Sequence, residues 1–100
     1  MNVVKQTEEF RSWREGLGSS PIAQRVRARL TRLELGNAGD AKNVGGGVIE
    51  MRIDFGPGYR MYYTRIGKVI YLMLCGGDKR SQQADIDRAK ALAAVIARSS

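Results

Sequence analysis

Two alternating segments around a Gly-Pro-Gly turn constrain the fold of this chain more than any other feature. From Val48 to Phe55, apolar and polar side chains alternate, which is the mark of a half-buried strand. Tyr59 to Arg65 alternates in the same way, and Gly56-Pro57-Gly58 supplies the turn between the two segments. The pattern predicts an antiparallel hairpin that packs Met51 and Met61 against a core.

The residues before the hairpin predict one strand and two helices. Asn2 to Gln6 fits a short first strand, and Thr7 is an N-cap for a helix that ends near Gly16. A second helix begins at Ser20-Pro21, where proline at the first helical position loses no needed N–H, and ends at Gly36. Its apolar stripe is Ile22, Val26, Leu30 and Leu33, and the arginines beside it are expected on a solvated face: Arg25, Arg29 and Arg32.

The remaining residues complete a single α+β domain of residues 1–100. Gly36 to Gly47 is predicted as a loop around a short extended piece near Asn43-Val44. The apolar run Val69 to Cys75 fits a strand covered on both faces, and Ser81 caps a final helix that reaches about Arg98. We therefore expect two N-terminal helices and a C-terminal helix around a mainly antiparallel sheet of four or five strands, one face of which stays partly open.

The charge of the chain points to anionic partners. Lys and Arg number 17 against 10 Asp and Glu, so the net charge is +7. Such an excess favours encounter with polyanions, although a soluble surface that happens to be basic is the alternative. No segment approaches the ~18 apolar residues of a membrane span, and the default expectation is a cytoplasmic protein without a membrane partner.

Few cofactor or metal chemistries fit this composition. The chain has no histidine and one cysteine, Cys75, which excludes an intrachain disulfide and a Cys₄ or Cys₂His₂ zinc site. Gly45-Gly46-Gly47 and Gly76-Gly77 lack the spacing of a phosphate-binding or dinucleotide loop. We therefore predict no cofactor and no metal, and interpret Cys75 as strand packing.

The strand phase gathers cations on one sheet face. Arg52 and Arg60 are expected opposite each other across the hairpin, beside Tyr62, while Lys79 and Arg80 leave the end of the neighbouring strand. Arginine binds phosphate bidentately, lysine acts as a point charge, and a tyrosine can stack on a base or transfer a proton.

An ordinary structural interpretation of the same residues stays open. Glu50 and Arg52 would then pair with sheet neighbours as solvated cross-strand contacts, and Tyr62 would be an ordinary amphipathic strand residue. Tyr59 and Tyr63 are expected in the core.

Several motifs in order resemble one family. The chain is similar to the "addiction module killer protein" branch of the RelE/ParE toxin superfamily, the HigB-like, phage-related group. The motifs are Gly36-Asn37 with Gly39-Asp40, Gly47-Val48 with Glu50 and Arg52, Gly56-Pro57-Gly58-Tyr59-Arg60, and Cys75-Gly76-Gly77-Asp78-Lys79 with Gln82, Asp85 and Ile86.

The resemblance implies a compact RelE/ParE-like fold and the toxin of a type II toxin–antitoxin system. The partner would be a cognate antitoxin, in this branch usually a helix-turn-helix DNA-binding protein. RelE-like relatives cut mRNA on the ribosome without a metal ion. By this resemblance Arg52, Arg60 and Lys79 are candidates for catalysis or phosphate binding. Tyr62 is a candidate for proton transfer or stacking, and Arg80 for contact with RNA. ParE-like relatives share the fold but inhibit DNA gyrase, so a non-enzymatic toxin is the alternative. A plain interaction module without toxicity is the third.

Overall fold

The predicted hairpin lies at the centre of a five-stranded sheet. The computed structural model describes residues 2–99. Its strands are β1 (Val3–Gln6), β2 (Ala41–Gly45), β3 (Val48–Ile53), β4 (Tyr59–Ile66) and β5 (Ile70–Asp78), in the order β1-β5-β4-β3-β2. β1 runs parallel to β5, and the other neighbours are antiparallel. The predicted α+β class and mainly antiparallel sheet are confirmed, and the extended piece near Asn43-Val44 is β2.

Three helices complete the domain: α1 (Glu8–Gly16), α2 (Pro21–Glu34) and α3 (Gln82–Ser99). Thr7 caps α1 as predicted, because its Oγ1 accepts from the Phe10 N–H at 3.0 Å and donates to the Leu74 carbonyl at 2.7 Å. Ser81 was expected to cap the last helix, but it ends a 3-10 turn, Lys79–Ser81, and its hydroxyl donates to Asp85. No helix within residues 2–99 is long and apolar enough to cross a membrane.

The sheet has a buried cluster on each face. Alternate strand side chains point to opposite faces. The α1 and α2 side chains Phe10, Ile22, Val26, Leu30 and Leu33 pack with Met51, Ile53, Met61, Tyr63, Tyr71 and Met73. The α3 side chains Ala89 and Ala93 pack with Val48, Tyr62, Leu74 and Cys75. β5 contributes to both clusters, which confirms the prediction that it is covered on both faces.

A bulge in β5 changes the strand phase beside β4. Tyr62 is opposite Cys75, whereas Tyr63 is opposite Met73, so Leu74 is the extra residue. Leu74 and Cys75 consequently both lie in the α3 cluster although they are adjacent in the chain.

Gly76 and Gly77, which follow the bulge, are required by close packing. A Cβ on Gly76 would lie 2.4 Å from the Trp13 ring of α1, and one on Gly77 would lie 1.9 Å from an Asp85 carboxylate oxygen. The glycine pair therefore lets α1 and the start of α3 approach the backbone of β5.

The burial of Arg29 differs from the sequence prediction. Arg29 was expected on a solvated face of α2, yet it is 9% exposed. Its guanidinium donates to the carbonyl oxygens of Arg52 at 2.5 Å, Ala38 at 2.9 Å and Asp40 at 3.2 Å. Burial, and secondarily the nearby Arg32 charge, lowers the pKa of Arg29. Arg29 thus ties the loop before β2 to β3.

Candidate functional site

A cleft of about 310 Å³ lies at the turn end of the β3–β4 hairpin. Three cations line it, Arg52, Arg60 and Lys79, and its wall also carries Tyr59 and the Gly-Pro-Gly turn. The structure therefore brings together the three cations that the strand phase and the family resemblance singled out.

The strand register explains why these cations meet. Arg52 of β3 is directly opposite Arg60 of β4, and Arg60 is opposite Gly77 of β5. Lys79 begins the 3-10 turn just after β5, beside the same corner. Like charges directly opposite on a sheet repel each other, so this arrangement needs a compensating anion.

That anion is Glu50, which lies beneath the two arginines and is 1% exposed. Its Oε1 is 3.8 Å from Arg52 Nε, and its Oε2 is 3.8 Å from Arg60 Nε. The Tyr62 hydroxyl donates to Oε2 at 3.1 Å, and Gln82 Nε2 donates to the same oxygen at 3.0 Å. The interpretation of Glu50 as a solvated cross-strand contact is therefore wrong, because Glu50 is buried beneath the arginines, whereas the Arg52 side chain is 41% exposed.

Arg52 and Arg60 retain unused hydrogen-bond donors. A guanidinium has five N–H donors. Within residues 2–99, the side chains of Arg52 and Arg60 together donate one hydrogen bond, from Arg60 Nη1 to the Gly58 carbonyl at 2.9 Å. By contrast, Arg29 bonds to three carbonyls and Arg88 is held by Glu9 at 2.7 Å. Because both Nε atoms are buried, the donors left for an anionic ligand are the Nη groups of the two arginines.

Tyr62 does not reach the cleft. It is 0% exposed within the α3 cluster, so neither face of its ring is free for a base. Burial, followed by the nearby Glu50 carboxylate, raises the pKa of the Tyr62 hydroxyl. In this structure Tyr62 holds Glu50, whereas Tyr59, expected in the core, only partly packs there and also borders the cleft.

Arg80 lies outside the cleft wall. Its guanidinium is paired with Asp78 at 2.8 Å, and its side chain is 84% exposed. The charge of Arg80 is therefore already partly balanced by Asp78.

Two carboxylates on the cleft wall were missed by the sequence analysis. Asp40 lies in the loop that Arg29 holds, and its Oδ1 is 3.8 Å from Arg52 Nε. Asp54 follows β3 and makes no ion pair within residues 2–99. The alternation of the strand places Asp54 on the same face as Arg52, and this pattern could have indicated that Asp54 lies beside the cleft. No group of three or more metal-ligating side chains occurs in the described part of the chain.

Comparison with curated proteins shows a relative that matches nearly the whole chain. A Haemophilus influenzae protein described as an uncharacterized protein is 44% identical to this chain over 90 residues, which cover 90% of this chain and 91% of the relative. No protein-family model matches the chain.

Proposed function

We propose that this chain, which belongs to the same protein family as the Haemophilus influenzae protein, is the toxin of a type II toxin–antitoxin system. It would be a RelE/ParE superfamily member of the HigB-like, phage-related branch. Its activity would be metal-independent cleavage of mRNA on the ribosome, in the cytoplasm. The sequence motifs that resemble this branch support the proposal, together with the cleft.

One observation carries the proposal: Arg52, Arg60 and Lys79 share a cleft in which the arginine donors are largely unused. Phosphate oxygens match the arginine fork, and charge-assisted hydrogen bonds are about twice as strong as neutral ones. A phosphorane intermediate carries more negative charge than the ground-state phosphodiester. Donors fixed around it therefore stabilise the transition state more than the substrate.

The proposed reaction needs only groups that line the cleft. Asp54 accepts the proton of a ribose 2′-OH, whose oxygen attacks the adjacent phosphorus. Arg52 and Arg60 hold the two non-bridging oxygens, and Lys79 donates a proton to the departing 5′-oxygen. The P–O2′ bond forms to give the phosphorane, and the P–O5′ bond then breaks, which leaves a 2′,3′-cyclic phosphate and a 5′-hydroxyl. Tyr59 offers an aromatic edge for the neighbouring base.

Mapping mRNA 5′ ends after brief expression tests this function. Wild-type protein is expected to produce codon-phased cuts, and Arg60→Ala to reduce them by about 10²–10³-fold, the usual effect of losing one transition-state donor. Arg27→Ala is the matched control, because it removes the same charge from an exposed position of α2 that lies away from the cleft. Wild-type expression without codon-phased cuts would refute the nuclease. Inhibition of gyrase supercoiling without RNA cuts would favour the ParE-like alternative.

The net charge of +7 supports an acidic partner as well as RNA. In the proposed system that partner is a cognate antitoxin, a helix-turn-helix DNA-binding protein. Electrostatic complementarity would speed its association. Co-expression with a small helix-turn-helix protein encoded beside this gene should restore growth if it is the antitoxin.

A further inference from the structure

We propose that Glu50 is a positioning residue, which orders Arg52 and Arg60 before a phosphate arrives. The inference rests on the proposed phosphate-binding role of the cleft and adds the group that prepares it. Glu50 does not line the cleft; it contacts the two arginines from behind, at 3.8 Å from each Nε.

The geometry assigns one carboxylate oxygen to each arginine. Oε1 is the atom near Arg52, and Oε2 is the atom near Arg60. The carboxylate cannot rotate freely, because Tyr62 and Gln82 both donate to Oε2. These two donors come from β4 and α3, so the orientation of Glu50 is fixed by separate elements of the fold.

The distances leave the arginine Nη groups available to a ligand. Separations of 3.8 Å exceed the usual 2.7–3.2 Å of an N–H···O bond, so Glu50 attracts each guanidinium by charge from the side of the buried Nε and makes no hydrogen bond to it. An arginine side chain has large rotamer freedom, so fixing it on a ligand costs conformational entropy. If the side chain is already ordered before binding, the binding step does not include that entropy cost.

Glu50→Gln tests the idea through the sign of its effect on inorganic phosphate affinity. If Glu50 only adds negative charge, its neutralisation should tighten phosphate binding. If it positions the arginines, binding should weaken, by about tenfold for two side chains that lose their order. Glu34→Gln, an exposed position at the end of α2, makes the same change in net charge and is the control. Phosphate affinity would be measured by NMR titration of the purified protein.

The arginine Nε–Hε resonances provide a readout that does not need a ligand. Assigned with Arg52→Lys and Arg60→Lys, the two signals should be dispersed in the wild type and in Glu34→Gln. In Glu50→Gln they should move toward the position of exposed arginines. Unchanged signals together with unchanged or tighter phosphate binding would overturn the proposal. Lower thermal stability with both readouts unchanged would show a structural role and would overturn it as well.

A second variant decides the question if Glu50→Gln does not fold. Gln82→Ala removes one donor to Glu50 from a half-buried position at the start of α3 and leaves every charge in place. Positioning predicts phosphate binding weakened by about threefold and shifted arginine signals, and unchanged values refute it. A wild type that binds no phosphate would contradict the proposed function, whereas the arginine signals would still report whether Glu50 orders them.

Discussion

Replacing Arg29 by alanine should destabilise the protein far more than replacing Arg32, an exposed arginine of the same helix. Arg29 donates hydrogen bonds to three backbone carbonyls, and losing each bond has a different free-energy cost. The Asp40 carbonyl keeps a bond from the Arg52 N–H at 2.9 Å. The Ala38 carbonyl lies in a half-exposed loop and can be hydrated. The bond to the Arg52 carbonyl is the shortest of the three.

Hydrogen bonds to a charged group contribute about 1.5–3 kcal/mol each, and a buried acceptor left without a donor carries a similar cost. Counting about 2 kcal/mol for the Arg52 carbonyl and about 1 kcal/mol for the Ala38 carbonyl, we expect Arg29→Ala to lower the free energy of unfolding by about 3 kcal/mol. That is a large share of the roughly 5–15 kcal/mol expected for a domain of this size.

Urea denaturation followed by circular dichroism would measure the change. With a slope of about 1–3 kcal/mol per molar urea, the midpoint should fall by about 1–3 M. Arg32→Ala removes an exposed arginine from the same helix and should alter stability by no more than about 0.5 kcal/mol. A loss below about 1 kcal/mol for Arg29→Ala would refute the argument that these carbonyl bonds hold the loop.

Two further predictions concern β5 and α1. Gly76→Ala should lower the free energy of unfolding by about 3 kcal/mol, because the added methyl meets the Trp13 ring at 2.4 Å. Gly16→Ala, where a Cβ meets nothing within 4 Å, should instead stabilise by about 0.5–1 kcal/mol; equal urea midpoints for the two variants would contradict the packing account. Burial raises the pKa of Cys75 from 9.0 to about 12, so the thiol of the unfolded chain ionises at a lower pH than the folded one. The free energy of unfolding should therefore fall above about pH 9, by about 1.4 kcal/mol per pH unit, until the folded thiol also ionises. In Cys75→Ala that decline between pH 9 and 10 should become smaller, and the remainder comes from buried tyrosines whose pKa values burial also raises, Tyr62 and Tyr63. Native Cys75 should react with a thiol reagent at pH 8 far more slowly than in urea.

The parts of the fold that sequence reasoning predicted are those determined locally. The alternation of residues 48–65 and the Gly-Pro-Gly turn were sufficient to place Arg52 opposite Arg60, because strand phase and turn length together fix a hairpin register. Thr7 capped its helix as predicted for the same reason, since the bond it makes reaches only three residues ahead.

The errors came from contacts between segments that are distant in sequence. Helical spacing placed Arg29 beside the apolar stripe, but it could not show that residues 38–40 return over that face and bury it. Alternation put Tyr62 on the less covered face, yet α3 packs there and buries it completely. Gln82 bonds to Glu50 across 32 residues, which no local pattern indicates.

Tyr59, which was expected in the core and also borders the cleft, illustrates a smaller difficulty. It follows the turn at the first position of β4, where it packs partly against the α1 and α2 cluster and also lines the cleft. A prediction that sorts side chains into core and surface assigns such a residue to only one class.

The pairing of β1 with β5 has a consequence for how this chain folds. Thr7 bonds to Leu74 across 67 residues, and α1 rests on the strand that Leu74 belongs to. The amino-terminal elements thus find their sheet partner only when nearly the whole chain is available, which raises the entropy cost of closing the sheet. Such non-local topology slows folding relative to helical bundles, and it couples the two ends into one cooperative unit. During synthesis, the native cleft can form only after β5 has left the ribosomal tunnel, so a nascent chain interrupted before residue 70 would hold no assembled cation site.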